Sequence, residues 1–178
     1  MKYLVTADLH YSLKQWDWVC QVAGQFDAVV LAGDHLDIAS NLDIDAQAIV
    51  VLKYLQRIGQ HTRILASSGN HDGSERTLAN ESIAVWLQEA RELGVLVDGD
   101  TFEHDEWFFS LCPWWDGPET RLALERQLER DAAQPKRRWA WVYHAPPDDC
   151  RVSPAARLGP PTRVSPPWKS KSVSWCHA

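Results

Sequence analysis

The chain has 178 residues and a formal net charge of -6, with 45% hydrophobic and 24% charged residues. A chain of this length fits one domain that buries roughly two thirds of its unfolded surface, so composition requires no second one. The acidic balance argues against a generally basic nucleic-acid surface, no apolar run approaches the roughly 20 residues of a membrane span, and the N-terminus enters a strand with no signal-peptide layout. The expectation is a cytoplasmic protein without membrane contact. The four cysteines, Cys20, Cys112, Cys150 and Cys176, are too widely spaced for a zinc knuckle or a disulfide framework and read as reduced thiols. Ten tryptophans is a high count. The pairs Trp16 and Trp18, Trp114 and Trp115, and Trp139 and Trp141 lie in apolar stretches, which points to packing rather than ligand stacking.

In chain order, Tyr3 to Ala7 is a β-rich run, Trp16 to Ala23 has helical spacing, and Phe26 to Ala32 is a second continuous apolar run. Asp43 to Ile58 puts Ile44, Ala48, Val51, Leu52 and Leu55 on one helical face, and Thr62 to Ala66 returns as a third strand. Asn80 to Leu93 reads as a third helix, with Asn80 as N-cap and Gly94 as the stop. Short strands are expected at Val95 to Val97, Thr101 to His104 and Trp107 to Leu111. Gly117 to Ala133 is a charged helix with Glu and Arg at i,i+4 spacing, and Trp139 to Tyr143 is a buried strand ending at His144. The pattern is α/β, with a parallel half and a more antiparallel half.

After Pro147 the character changes. Residues 151 to 178 hold five prolines, five serines, three arginines and two lysines without any aspartate or glutamate, a charge of +5 that leaves -11 for residues 1 to 150. No helical or strand periodicity survives there, so 148–178 reads as a basic Pro/Ser-rich tail, disordered or loosely attached to a domain of residues 1–147.

Three motifs end apolar runs: Asp8-Leu9-His10, Gly33-Asp34 and Gly69-Asn70-His71-Asp72. Strands that end in carboxylates and imidazoles deliver hard ligands to one sheet edge, which points to metal-assisted hydrolysis. Asp8 and His10 share a strand face because the strand period is two, so both can reach one ion. Gly33 lets the backbone turn and Asp34 projects from the strand end. His35 and Asp37 follow closely and read as solvent-facing loop positions. His71, between an amide and a carboxylate on a tight loop, combines ligand and proton-donor chemistry. His144 precedes Pro146 and Pro147, which forbid further ladder bonding, so its ring stops at the sheet edge. Taken singly each motif has a plainer reading: turn aspartates with a surface histidine, ordinary turn chemistry, or a satisfied core histidine.

Together, Asp-x-His, Gly-Asp, Gly-Asn-His-Asp and a strand-terminal His resemble the calcineurin-like metallophosphoesterase superfamily over residues 1 to 147. The resemblance implies an αββα sandwich and hydrolysis of phosphomonoesters or phosphodiesters at a binuclear centre. By motif position, Asp8, His10 and Asp34 would hold one ion, and Asp34, Asn70 and His144 the other. His71 would protonate the leaving oxygen, with Asp72 orienting it. The ligand chemistry suits manganese, iron or zinc without choosing among them. The substrate implied is a phosphorylated small molecule or a nucleotide; nucleic acid stays open as a substrate, but no basic or aromatic groove in the sequence supports it. The family's final Gly-His-x-His is absent, and His177, the one later histidine, has no preceding glycine and is not expected to be a ligand. The chain thus looks like a member with its C-terminal part lost or replaced, and the alternative to an enzyme is a catalytically silent fragment acting at most as a binding module.

Overall fold

The computed structural model describes residues 2–145 and the backbone of Ser172–Val173. β1 (Tyr3–Thr6), β2 (Ala28–Ala32) and β3 (Arg63–Ser67) form a parallel sheet in the order β1-β2-β3. α1 (Leu13–Val22) and α2 (Ile44–Gly59) supply the crossovers that parallel neighbours require. The central strand β2 is buried throughout, as the uninterrupted apolar run predicts. Its residues divide by parity. Val29 and Leu31 pack with Trp16, Val19, Val51 and Leu55 of the helices, whereas Ala28, Val30 and Ala32 face the other way.

A second sheet lies against that other face. It contains β6 (Thr101–His104), β7 (Trp107–Leu111), β8 (Arg138–Val142) and β9 (Ser172–Val173). Phe102, Phe109, Leu111, Ala140 and Val142 meet Val30 and Leu65 between the sheets. β6 pairs antiparallel to β7, and β7 runs parallel to β8. The outer face, with Phe108 and Trp139, is covered by Leu124 and Leu128 of α4 (Pro118–Ala132). The layers are therefore helix, sheet, sheet, helix, the αββα sandwich expected. No helix among the described residues is long and apolar enough to cross a membrane.

Two expectations fail between residues 75 and 97. The fourteen-residue helix from Asn80 is replaced by a small antiparallel pair, β4 (Glu75–Arg76) with β5 (Ser82–Ile83), followed by a short α3 (Val85–Glu89) and a 3₁₀ turn over Ala90–Leu93. Asn80 is no N-cap: it sits at φ 63 in the turn of that hairpin. The cause is tertiary. The Glu81 carboxylate accepts the Glu119 and Thr120 backbone N–H groups at 2.9 and 2.7 Å and caps α4, and the Ser82 N–H donates to Asp116. Gly94 does stop the turn, at φ 80. Val95 to Val97 forms only one bridge, Leu96 to Leu65, instead of a strand.

Cys20 and Cys112 are free thiols, Cys112 in the core. Trp16, Trp86 and Trp139 are core residues, while Trp18 is half exposed on the outer face of α1. The expected tail, 148–178, lies outside the described residues except at Ser172 and Val173, which pair parallel to Trp139 and Ala140.

Candidate metal centre

The first two motifs are brought together by backbone bonds that continue the β1–β2 ladder beyond its strands. The Asp8 N–H donates to the Gly33 carbonyl at 3.1 Å, His10 to Asp34 at 2.9 Å, and Tyr11 to His35 at 2.9 Å. This path needs left-handed backbone at Asp8, His10, Tyr11 and Asp34, with φ from 40 to 55. Such residues cost energy that neighbouring structure must offset, and they cluster at functional sites. The third motif closes from the other side. The His71 N–H donates to Asp34 Oδ1 at 2.9 Å, and Gly69 lies so close to Asp34 that a side chain there would collide with it.

His144 arrives from the second sheet. Its Nδ1 donates to the Ala32 carbonyl at 3.0 Å, which fixes the ring and turns Nε2 toward Asp34 Oδ2, 3.2 Å away. Gly33 makes room for it: a Cβ there would stand 2.6 Å from His144 Nδ1, and Gly33 itself adopts φ 83. The Trp114 ring meets His144 edge-on at 5.9 Å.

Asp34 is the hub. Its Oδ2 is also 3.7 Å from His10 Nε2, which in turn is 3.7 Å from Asp8 Oδ1. Burial by itself would raise the Asp34 carboxyl, but the hydrogen bond and charge of His144 and the His71 N–H outweigh it and hold it below its ordinary value. Burial likewise pulls His144 down, yet Asp34 overrides it and pushes the imidazole up to about 9. Each thus favours the other's charge, and a cation entering here would take the place of the imidazolium proton.

Two sets of donor atoms lie close enough to share an ion. Asp8, Asp34 and His144 form one and His10, Asp37 and His71 the other, with all donor atoms of a set within 4.8 Å of one another. Carboxylate and imidazole donors at this spacing fit a divalent cation. His71 Nδ1 is buried and has no hydrogen-bond partner among the described residues, so this donor set includes a nitrogen free to bind a polar group. Of the expected ligands, Asp8, His10, Asp34 and His144 converge. Asn70 stands at the exposed tip of the third loop, between Gly69 and His71.

Asp72 is a correction. It is fully buried and accepts hydrogen bonds from the His35, Leu36 and Gly69 backbone and the His35 ring, so it does not orient His71 through a hydrogen bond. His35, expected to face solvent, is 1% exposed. The carboxylate that does stand beside His71 is Asp37, missed because loop aspartates are ordinarily solvated. The signal was Gln47: its position on α2 is buried, and its side chain accepts from the Asp37 N–H and donates to the Asp37 and Leu42 carbonyls, clamping the loop. Behind the third loop, Asp98 accepts the Ser68 N–H at 2.9 Å. Burial pushes its carboxyl up to about 6, against the pull of the Ser68 hydrogen bonds.

Among proteins of known structure, the chain is similar to one crystal structure at 14% identity and a TM-score of 0.54, over 82% of this chain and 69% of that one. It is also similar to YfcE, a phosphoesterase from E. coli, at 18% identity and a TM-score of 0.40, over 63% of this chain and 57% of that one. No curated protein sequence matches it. A model of the calcineurin-like phosphoesterase family matches residues 1–141, a span that includes the first three motif loops, and the chain belongs to that family.

Proposed function

We propose that the chain hydrolyses phosphoric esters at a two-metal centre held by Asp8, His10, Asp34, Asn70 and His144. The observation that carries this reading is the convergence of three strand-end loops and His144 on Asp34, whose carboxylate lies within 3.7 Å of imidazoles from two directions. Divalent ions, manganese, iron or zinc, would supply Lewis acidity toward the phosphoryl group and an activated water as nucleophile. The protein's own part is to hold the ligands apart at fixed spacing. His144 is kept in one tautomer by Ala32, and Asp34 is kept ionised by its neighbours. His71 carries a proton to the leaving oxygen. Asp37, with a carboxylate oxygen within 4.8 Å of a His71 ring nitrogen, takes the orienting role expected of Asp72. The substrates are phosphomonoesters or phosphodiesters of small molecules or nucleotides.

The test is metal-stripped protein titrated with manganese, zinc or ferrous iron, with bound metal counted and turnover of p-nitrophenyl phosphate and its bis ester followed. Metal-dependent turnover above that of Asp34→Asn is expected. Fewer than two bound ions per chain, or two without turnover, would end the enzyme reading and favour the silent fragment that acts at most as a binding module.

A further inference from the structure

We propose that His35 and Asp72 form a buried dyad that positions the two loops bearing Asp34 and His71, so that both are positioning residues rather than catalytic ones. The inference rests on the metal-centre reading for its consequence in catalysis but on geometry for its existence. His35 Nδ1 donates to Asp72 Oδ2 at 2.8 Å. The same carboxylate takes the His35 N–H at 2.8 Å, the Leu36 N–H at 3.1 Å and, from its own loop, the Gly69 N–H at 2.8 Å. A carboxylate offers about four acceptor sites, so these four donors use its capacity. Three come from the second motif loop and one from the third, which makes Asp72 a tie between them.

The surroundings hold this tie rigid. Trp16 stacks on the His35 ring with centroids 6.2 Å apart, and Trp86 meets its edge at 5.8 Å. The Trp86 indole N–H also donates to the Asp72 carbonyl at 2.9 Å. Both tryptophans are buried, as are His35 and Asp72. Away from water, a broken hydrogen bond in this cluster leaves a polar group without a partner, so the two loops cannot slide independently at low cost.

One residue along on each loop, the His71 N–H donates to Asp34 Oδ1 at 2.9 Å. The loops are therefore joined twice, by the dyad on the buried side and by the Asp34–His71 bond on the site side. Losing the first loosens the second. A residue that only filled space between Trp16 and Trp86 would leave the hydrogen-bonded tie to the His71 loop unchanged.

The experiment compares His35→Leu, which removes the donor, with His35→Asn, whose amide N–H occupies nearly the position of Nδ1. Amide hydrogen exchange at His71 in metal-free protein is expected to quicken at least about tenfold in His35→Leu and return to within about threefold of the unmodified rate in His35→Asn. Manganese affinity and kcat should fall about 10- to 100-fold in His35→Leu with KM nearly unchanged, and recover in His35→Asn. A folded His35→Leu with unmodified His71 exchange and manganese affinity would overturn the proposal. If His35→Leu does not fold, the unmodified chain decides: the His35 Nδ1 proton and the His71 amide should exchange with the same denaturant dependence, and a His71 amide that opens alone rejects the dyad's role. Because exchange needs no metal or turnover, its outcome is independent of whether the chain is a phosphoesterase.

Discussion

The two sheets contribute to the centre in different ways. The parallel sheet delivers Asp8, His10 and Asp34 through backbone bonds that extend the β1–β2 ladder past its ends, so the placement is written into the main chain. The second sheet delivers one ring, His144, and seats it with side-chain contacts to Ala32, Asp34 and Trp114. Backbone placement tolerates most side-chain changes but depends on residues that accept left-handed φ. Side-chain placement depends instead on open space, here the missing Cβ of Gly33 beneath the His144 ring, and is lost with a single clash.

Asp34→Asn strikes where both contributions meet. It removes the charge facing His10 and His144, and turnover is expected to drop by more than about 10³-fold with loss of bound metal. A variant that keeps its metal and its rate would show that Asp34 is not the hub. His71→Ala keeps the hub and should lower kcat by about 10²- to 10³-fold while metal content holds, with Asp37→Asn giving a smaller loss in the same direction. If either variant also shed its metal, the residue would be a ligand rather than a proton carrier.

Gly33→Ala tests the side-chain seat against a built-in control. Gly33 and Gly94 have nearly equal φ, 83 and 80, but a Cβ at Gly33 meets the His144 ring whereas at Gly94 nothing lies within 4 Å. Gly94→Ala should cost about 1 kcal/mol from backbone conformation, and Gly33→Ala about 3 kcal/mol with added displacement of His144. Equal urea midpoints for the two variants would remove the clash from the account.

The smallest effect concerns Asp98, whose carboxyl titrates near 6 in the folded chain and near its ordinary 3.8 when unfolded. The folded state keeps that proton longer, so this group's contribution to stability is greatest in acid, falls as pH rises from about 4 to about 6, and is level above. The fall is on the order of 2 to 3 kcal/mol. Asp98→Asn keeps an acceptor for Ser68 and should gain relative to the unmodified chain between pH 4.5 and 7.5. Parallel urea midpoints for both proteins across that range would refute it.

Strand and helix placement was legible wherever burial is one-dimensional. An unbroken apolar run such as 28–32 has to be covered on both faces, and the expected strands at Thr101–His104 and Trp107–Leu111 appear unchanged. The stretch from Asn80 was not legible, because its fate depends on Glu81 finding the N-terminus of α4, 38 residues away in sequence. Local spacing carries no trace of such a bond.

For the centre itself, the groups at the strand ends are legible in the chain alone: Asp8, His10, Asp34, His71 and His144 each follow an apolar run, and a strand continued there would bury a polar or charged group. Which carboxylate serves which imidazole emerges only when the chain is folded. Asp72 adjoins His71 in sequence yet turns inward to His35, while Asp37, 34 positions away, stands at the His71 ring. A side chain's partner is chosen by whichever fixed donors surround it once the core is closed, and the backbone N–H groups of His35, Leu36 and Gly69 come together around Asp72 only when β2 and β3 lie side by side.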